Sequence, residues 1–325
     1  MTNNKIYEIA HGRYTLLRTF IVGTRGSELA LKQTNMVIEL LKEAGVKNEF
    51  AIKTIATKGD QNLSVALHQV GGTGIFSDEL QDALRKKTID FAVHSLKDLP
   101  LVMDESFMLA SFPKREDHRD AFIGRDGKTL KDLPEGAVVG TSSARRAAFI
   151  HAYYPHLKTE PIRGPVDKRL EQLREGKYDG IILAVAGLKR LDLEHVITEY
   201  LPEDKLTPAA GQAALAIECR SDDHEVIEVV RKINDAQTEK SILTERHFVY
   251  LLDEEDKTPI GAYAKVEGDR ITLYGSVSSL DGKTLIKVKS EGTDPKEVAQ
   301  QAYEKAVQKG AKEIVERAKQ ELGKA

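Results

Sequence analysis

The chain has no tryptophan, a single cysteine and few aromatic residues, and each shortage excludes a class of protein. Aromatic side chains make up 6% of its 325 residues, which argues against a platform on which nucleobases or sugars stack. The single cysteine, Cys219, excludes an intrachain disulfide framework, and its place after an apolar run is typical of a packed thiol. The sequence contains no Cys/His metal cluster, Walker loop or dinucleotide fingerprint, so we expect no metal site.

Positive and negative side chains are nearly balanced in number. The 48 Lys and Arg against 51 Asp and Glu give a net charge of −3, so no basic field is available to hold nucleic acid and we expect no such partner. Because no apolar run reaches transmembrane length and no export signal is visible, we expect a cytoplasmic protein without a membrane partner. A site for anions must therefore be built locally from clustered arginines.

Strand and helix patterns alternate along most of the chain, which is typical of a parallel-type α/β sheet. Two successive sets of such units predict two lobes with a cleft between them. The residues from 261 onward contain three strand patterns and two Ala-rich helix patterns, which indicate a small α+β domain. The residues before 17 are polar and unpatterned, and we expect a loosely attached extension there.

Within the stretch 90–100, a short buried strand is followed by two ionisable groups, Lys97 and Asp98. Ligands of α/β sheets collect just beyond the carboxyl ends of strands, so this pair is a candidate site. The alternative is a surface ion pair, which contributes little to stability. A Gly-rich loop at 70–76 is a second, weak anion-binding signal that a flexible connection explains equally well.

Arginines and hydroxyl groups follow four other strand ends. Ser27 is suited to cap the helix after the first strand, and the hydroxyls of 141–143 lie at another helix start, where backbone N–H groups can seat a carboxylate. Two arginines in that helix's first turn oppose its dipole unless an anion compensates them. Pooled in one cleft, these arginines would bind a ligand bearing several carboxylates or phosphates. They are Arg25, Arg145, Arg146, Arg163, Arg169 and Arg190.

Five motifs, in their order and spacing, resemble those of the porphobilinogen deaminase (hydroxymethylbilane synthase) family of tetrapyrrole biosynthesis. The resemblance covers about 17–322, nearly the whole chain. The motifs are AVHSLKDLP at 92–100, REDHRDAF at 115–122, GTSSARR at 140–146, YDGIILAVAGLKR at 178–190 and PAAGQ at 208–212.

This resemblance implies two periplasmic-binding-protein-like lobes around a central cleft, plus a small C-terminal α+β domain, in a monomer. It also implies a transferase that joins porphobilinogen units head to tail and releases ammonia at each step. The expected parts are an extension at 1–16, a first lobe at 17–113 and 212–234, a second lobe at 114–211 and a third domain at 235–325.

The resemblance also assigns roles to the candidate residues. Asp98, with Lys97 beside it, would move protons and stabilise a pyrrolic cation, as a carboxylate kept ionised by neighbouring arginines can do. The acetate and propionate groups of the substrate would be held by Arg25, Ser27, Ser142, Ser143, Arg145, Arg146, Arg163, Arg169 and Arg190.

One departure from the family concerns its dipyrromethane cofactor. The family attaches that cofactor by a thioether to a Cys shortly before a Pro-Ile-Gly turn, which is 259–261 here, and Asp256 stands at the Cys position. The two glycines before it are Glu254 and Glu255, so with Asp253 the loop carries four carboxylates that would repel an anionic cofactor. We therefore expect a paralogue without the cofactor.

Three functions stay open on the sequence alone. The chain condenses porphobilinogen or a related aminomethylpyrrole without a covalent primer; or it is a non-catalytic binding module for a pyrrole, a bilane or another polycarboxylate; or it is an ordinary synthase with another anchor, such as an ester at Asp256. Retention of Asp98 favours catalysis, because a binder of anions gains little from a carboxylate. The ester is the least favoured because it would be labile.

Overall fold

The structure, a computed structural model, describes residues 7–10, 13–61 and 77–323. The Gly-rich loop at 70–76 therefore lies outside the described residues. The extension holds a hairpin of β1 (Tyr7–Ala10) and β2 (Arg13–Leu16), which its irregular sequence pattern did not predict. Among the described helices, none is long and apolar enough to cross a membrane.

The first lobe is built on a five-stranded sheet of order β4-β3-β5-β12-β6. Its apolar core is formed mainly by β-strands and the inner face of α1, where Val37, Ile38 and Leu41 are buried at helical spacing. The strands are β3 (Phe20–Thr24), β4 (Phe50–Thr54), β5 (Phe91–Ser95), β6 (Phe107–Ser111) and β12 (Leu215–Arg220). The helices are α1 (Glu28–Glu43), α2 (Lys58–Gln61), α3 (Asp78–Arg85) and α7 (His224–Arg231).

The second lobe repeats this design with a five-stranded sheet of order β11-β7-β10-β8-β9. Its strands are β7 (Asp120–Gly124), β8 (Val138–Gly140), β9 (Lys158–Glu160), β10 (Gly180–Ala184) and β11 (Glu199–Leu201). The central strands β7 and β10 are apolar and buried, whereas the edge strands β9 and β11 are polar and partly exposed. The helices are α4 (Ala144–Tyr153), α5 (Val166–Arg174) and α6 (Val185–Arg190).

Both sheets are mixed, so the expectation of a parallel-type sheet is only partly correct. Strand β3 runs parallel to β4 and β5, and β8 runs parallel to β9 and β10. Strand β12 enters the first sheet antiparallel between β5 and β6, because the chain returns there from the second lobe. In the second sheet β7 is antiparallel to both of its neighbours.

A third unit packs an antiparallel sheet of three strands against helices. Small residues on α9, among them Ala299, Ala302 and Ala306, are fully buried and let the helix approach the sheet closely. Its elements are α8 (Ala236–Leu252), β13 (Ile260–Glu267), β14 (Arg270–Ser278), β15 (Leu285–Gly292), α9 (Pro295–Gln308) and α10 (Ala311–Leu322).

Two α/β lobes and a small C-terminal α+β domain are thus confirmed. The bounds of the parts stay predictions. A buried carboxylate, Glu245 on α8, joins the third domain to both crossings between the lobes: it pairs with Arg115 at 2.6 Å and accepts the N–H of Gly211 at 2.8 Å. These contacts fix the walls of the cleft.

Candidate active site

A cavity of about 1070 Å³ lies where the two lobes and the third domain meet. Its wall contains every residue that the sequence analysis proposed for the site. These are Arg25, Ser27, Lys97, Asp98, Ser142, Ser143, Arg145, Arg146, Arg163, Arg169, Arg190 and Asp256. The structure thus brings to one cavity the five separate stretches of sequence that the rule about strand ends selected, and the roles given to their residues stay predictions.

Lys97 and Asp98 lie on a 3₁₀ turn that directly follows β5. Leu96 and Leu99 are buried on either side and hold the turn in place. The Lys97 ammonium donates a hydrogen bond to the side-chain oxygen of Gln212 at 3.1 Å. Burial, together with the positive charge of Arg146, lowers the pKa of Lys97 to about 8.

The half-buried Asp98 carboxyl faces the cavity among positive charges. Lys97, Arg146 and Arg169 all lie within electrostatic reach of it. Within the described part of the chain, no hydrogen bond joins this carboxyl to another group. Asp98 is therefore available to accept an N–H or to face a cation on a ligand.

Arg145 and Arg146, in the first turn of α4, are compensated by a carboxylate of the protein. Asp120, fully buried at the start of β7, accepts from Arg145 at 2.8 Å and from Arg146 at 2.7 and 3.0 Å. Burial raises the pKa of Asp120, but the two guanidinium groups outweigh it and hold that pKa well below its usual range. The anion that compensates these arginines against the dipole of α4 is therefore Asp120, a residue of the protein. Together the two arginines and Asp120 carry one net positive charge.

The three serines have local partners. Ser27 and Ser143 cap α1 and α4 by accepting the N–H groups of Ala30 and Arg146. Their hydroxyl protons can still be donated to a ligand. Ser142 both donates to the carbonyl and accepts the N–H of Ile162, so its hydroxyl mainly ties β8 to the next turn.

Two further arginines of the cavity, Arg169 and Arg190, are held by backbone carbonyls. Arg169 donates to Gly164 at 2.7 Å and Arg190 to Ala213 at 2.6 Å. Burial lowers the pKa of each to about 10, so both remain cations at neutral pH. The buried Nε of Arg190 has no hydrogen-bond partner among the described residues. Buried guanidinium N–H groups of this kind favour an acidic ligand.

Two residues were not predicted for the site: Gln212, which lines the cavity, and Asp120, which lies behind its wall as the partner of Arg145 and Arg146. Gln212 is fully buried; it accepts from Lys97 and donates to the carbonyl of His118 at 2.8 Å and to Asp120 at 3.1 Å. It therefore connects the turn of the first lobe to the arginine wall of the second. Its place at the end of the PAAGQ motif was the available signal.

Asp256 occupies the cavity wall contributed by the third domain. Burial, with the negative charge of Asp253 nearby, raises the pKa of Asp256 to about 7. The four carboxylates of this loop do not all face the cavity. Glu254 and Glu255 are exposed, and Asp253 pairs with Lys319 at 3.1 Å. The cavity wall here carries one acid, Asp256, beside one cation, Lys257.

The cavity suits an elongated polycarboxylate. It is long enough to touch both lobes and the third domain, and its cations match carboxylate groups. Asp98, in contrast, is a negative group that would attract a cation or an N–H donor on the ligand rather than its carboxylates. A ligand with several acidic side groups and a cationic or N–H-bearing centre fits this distribution.

Comparison with known families agrees with this site. The description "Porphobilinogen deaminase, dipyromethane cofactor binding domain" matches residues 20–228, and "Porphobilinogen deaminase, C-terminal domain" matches 240–308. A porphobilinogen deaminase of Oceanobacillus iheyensis is 52% identical over 307 residues, covering 94% of this chain and 99% of the relative. One from Bacillus cereus is 48% identical over 301 residues, covering 92% and 97%.

Solved structures give only distant similarity. The methionine-binding protein MetQ is 13% identical with a TM-score of 0.43, covering 69% of this chain and 90% of its own. A VFT2 domain of Bordetella pertussis BvgS is 16% identical with a TM-score of 0.40, covering 67% and 85%. The fold described above does not depend on these neighbours.

The family match corrects the expectation about the cofactor. Asp256 led us to expect no dipyrromethane, but the domain that matches 20–228 is a dipyrromethane-binding domain, so that expectation is wrong. The expectation of an enzyme, a transferase, is confirmed by the same matches. Both family domains and relatives of nearly equal length therefore lead to one conclusion: this chain belongs to the porphobilinogen deaminase family.

Proposed function

We propose that the chain condenses porphobilinogen, or a related aminomethylpyrrole, into a linear oligopyrrole with release of ammonia. The observation that carries this proposal is the Asp98 carboxyl, which faces a cation-lined cavity without a hydrogen bond to any described residue. A site that only held acidic ligands would be weakened by that negative charge. A site that forms a positive charge on its substrate gains from it.

The arginines act on the substrate's acidic side groups. Arg163, Arg169 and Arg190 reach the cavity from the second lobe and Arg25 from the first, so a ligand held by both is fixed between the lobes. Such positioning brings the reacting carbon atoms together before the bond forms. Lys97, with its pKa lowered to about 8, adds a cation beside Asp98 at neutral pH.

Asp98 acts where charge develops. When ammonia leaves the aminomethyl group, the ring it leaves becomes cationic, and a carboxylate nearby lowers the energy of that state. The attacking pyrrole carbon then carries a proton that must be removed, and Asp98 is the carboxylate positioned to accept it. Lys97, Arg146 and Arg169 all lie within electrostatic reach of this carboxyl.

The residues present also fit the family's dipyrromethane cofactor. Its carboxylates would be held by Lys97, Arg145, Arg146 and Lys257, which share the wall between Asp98 and the third domain. When bound, the dipyrromethane supplies the pyrrole carbon to which the first substrate unit is joined. The chain's own contribution is to bind, orient and neutralise these anions.

The test of this proposal separates turnover from binding in an Asp98→Asn variant. Loss of a positioned acid–base carboxylate lowers kcat on the order of 10²–10⁴-fold, while affinity for porphobilinogen, measured by calorimetry, stays within a few-fold. The matched control is Asp167→Asn, an exposed acid at the cavity rim, which should keep wild-type turnover. Unchanged turnover in the Asp98 variant would contradict the role given to this carboxylate.

A further inference from the structure

A dipyrromethane attached covalently, as the family resemblance implies, requires an attachment atom, and the cysteine of this chain does not line the cavity. Cys219 is the chain's single cysteine. It is fully buried in β12 within the apolar core of the first lobe and does not line the cavity. Burial raises the pKa of its thiol to about 12, so the nucleophilic thiolate is not formed at neutral pH.

Oxygen nucleophiles do line the cavity, and most of them are already occupied. Ser27 and Ser143 cap helices, and Ser142 bonds both ways to Ile162. The Asp256 carboxyl differs, because no hydrogen bond or ion pair joins it to another side chain in the described parts of the molecule. It shares this property with Asp98 alone among the acids placed in the site above.

The loop around Asp256 is built to hold that carboxyl at the cavity. The buried Asp253 carboxylate accepts the N–H groups of Lys257 and Thr258 at 2.9 and 3.0 Å and the Thr258 hydroxyl at 2.8 Å, and it pairs with Lys319. This turn places Asp256 at φ = 50°, a left-handed conformation that Asp tolerates better than most residues. The other acids of the loop point away from the cavity wall.

Two cations act on Asp256 from opposite parts of the structure. Arg145 of the second lobe and Arg246 of α8 both favour its ionised form. Arg246 also donates to the carbonyls of Leu99 and Pro100, directly after Asp98, so this cation lies close to both carboxyl-bearing segments. With a pKa of about 7, a substantial fraction of the Asp256 carboxyl is ionised at neutral pH. Because this carboxylate is poorly solvated, its oxygen is a better nucleophile than that of an exposed carboxylate.

We propose that Asp256 carries the dipyrromethane group of this chain through an ester oxygen. The sequence alone disfavoured this ester as labile, but in the structure Asp256 is partly shielded from solvent, Glu254 and Glu255 face solvent and Asp253 is paired with Lys319. This inference rests on the proposed function, because the attached group is made from the same substrate. A carboxylate oxygen of Asp256 attacks the aminomethyl carbon of porphobilinogen in its ammonium form. One C–O bond forms as the C–N bond breaks, and ammonia leaves with both electrons of that bond. The carboxylate's negative charge and the ammonium's positive charge cancel, so the ester is neutral.

The experiment uses the intact chain incubated with porphobilinogen, its mass measured before and after neutral hydroxylamine. We expect a mass increase equal to two pyrrole units that hydroxylamine removes, leaving a hydroxamate that peptide mapping locates at residue 256. Hydroxylamine attacks the acyl carbon of an ester, so this readout needs no variant. An adduct that resists hydroxylamine, or that maps elsewhere, would overturn the inference.

Three variants sharpen the result. Asp256→Asn should gain no mass, whereas Glu254→Gln, which alters an exposed acid of the same loop, should gain as much as the wild type. Asp256→Cys should gain the same mass in a hydroxylamine-resistant form, because a thioether has no acyl carbon. Circular dichroism establishes that each variant is folded. An adduct that persists in the Asn variant contradicts the proposal.

The outcomes also separate this inference from the proposed function. A wild-type chain that releases ammonia from porphobilinogen without any adduct overturns the ester at Asp256 and leaves the proposed function standing. A chain that neither consumes porphobilinogen nor gains mass overturns both. Ammonia release together with a hydroxylamine-sensitive adduct at residue 256 supports both.

Discussion

Asp120 is the residue on which the arginine wall depends. It is the fully buried partner of Arg145 and Arg146, and it also accepts a hydrogen bond from Gln212. Removing one member of a buried ion pair leaves an uncompensated charge, at a cost of about 3–5 kcal/mol. We expect Asp120→Asn to lower the free energy of unfolding by about that amount in urea titrations.

The control for this prediction is an exposed pair on α3. Asp82→Asn breaks the contact with Arg85, and it should change stability by less than about 1 kcal/mol. The pH dependence has a definite sign. Because the pKa of Asp120 is depressed in the folded state, its contribution is present above the ordinary Asp value, about 3.9, and is lost as the pH falls below it. A stability difference between wild type and Asp120→Asn that is equally large in strong acid would contradict this explanation.

Lys97 gives the site a pH dependence on the alkaline side. Its pKa, lowered to about 8, means that the cation beside Asp98 is present below that pH and is lost above it. We expect KM for porphobilinogen to rise between pH 7 and pH 9.5, with a smaller change in kcat. Lys97→Arg keeps its charge throughout and should flatten the profile. Equal profiles for the two proteins would show that Lys97 is not the titrating group.

The side chains that follow strand ends could be predicted from the sequence, whereas the side chains that join the two lobes could not. Arg25, Asp98 and Arg190 could be placed because each directly follows an apolar run or a helix start. Asp120 stands at the end of a mixed run of charges at 114–120, where no periodicity distinguishes a buried acid from an exposed one. Its partners come from residues 25 and 26 positions further along, and only the folded chain brings them together.

At the scale of elements, the crossing that leads into β12 carries backbone strain. Ala213 adopts φ = 74°, in the left-handed region, while its carbonyl accepts from Arg190. This conformation costs a non-glycine residue roughly 1–2 kcal/mol. We expect Ala213→Gly to raise the free energy of unfolding by about 0.5–1 kcal/mol, because relief of strain exceeds the added freedom of the unfolded glycine.

The neighbouring alanine provides the matched control. Ala214 is also buried but has no positive φ, so Ala214→Gly loses a packed methyl group and gains no relief. That variant should be destabilised by about 1 kcal/mol or more. If both variants shift the urea midpoint in the same direction and by the same amount, strain at Ala213 is not the cause.

Elements with a strong local pattern were predicted closely, and elements set by distant pairing were not. The helix after Ser27 was expected from its apolar spacing, and the structure gives Glu28–Glu43 with Ser27 as its cap. Strand β11 escaped notice because its three residues have no pattern of their own and gain order by pairing with β7. The antiparallel direction of β12 likewise depends on where the chain leaves the second lobe.

At the scale of the whole molecule, the net charge is −3, but nine Lys and Arg against four Asp and Glu line one cleft. Such a cleft attracts anionic substrates over about a Debye length, which is about 30 Å at 0.01 M salt and about 8 Å at 0.15 M. We expect KM for porphobilinogen to rise with ionic strength over this range while kcat changes little. A KM that is independent of salt would contradict binding through the cleft's charges.

The architecture could be anticipated from alternating strand and helix patterns, but the meeting of three domains at one cavity could not. That meeting depends on the Glu245 contacts with Arg115 and Gly211, which lie 130 and 34 residues away in the chain. Of the four acids at 253–256, Asp256 is the one that lines this cavity.

The most direct test of the account is the ratio of ammonia released to porphobilinogen consumed by the purified chain, with the products separated by chromatography. The account predicts one ammonia for each porphobilinogen, a linear oligopyrrole as product, and loss of both in the Asp98→Asn variant. Saturable binding of porphobilinogen without any ammonia would contradict it and would identify the cleft as a binding module.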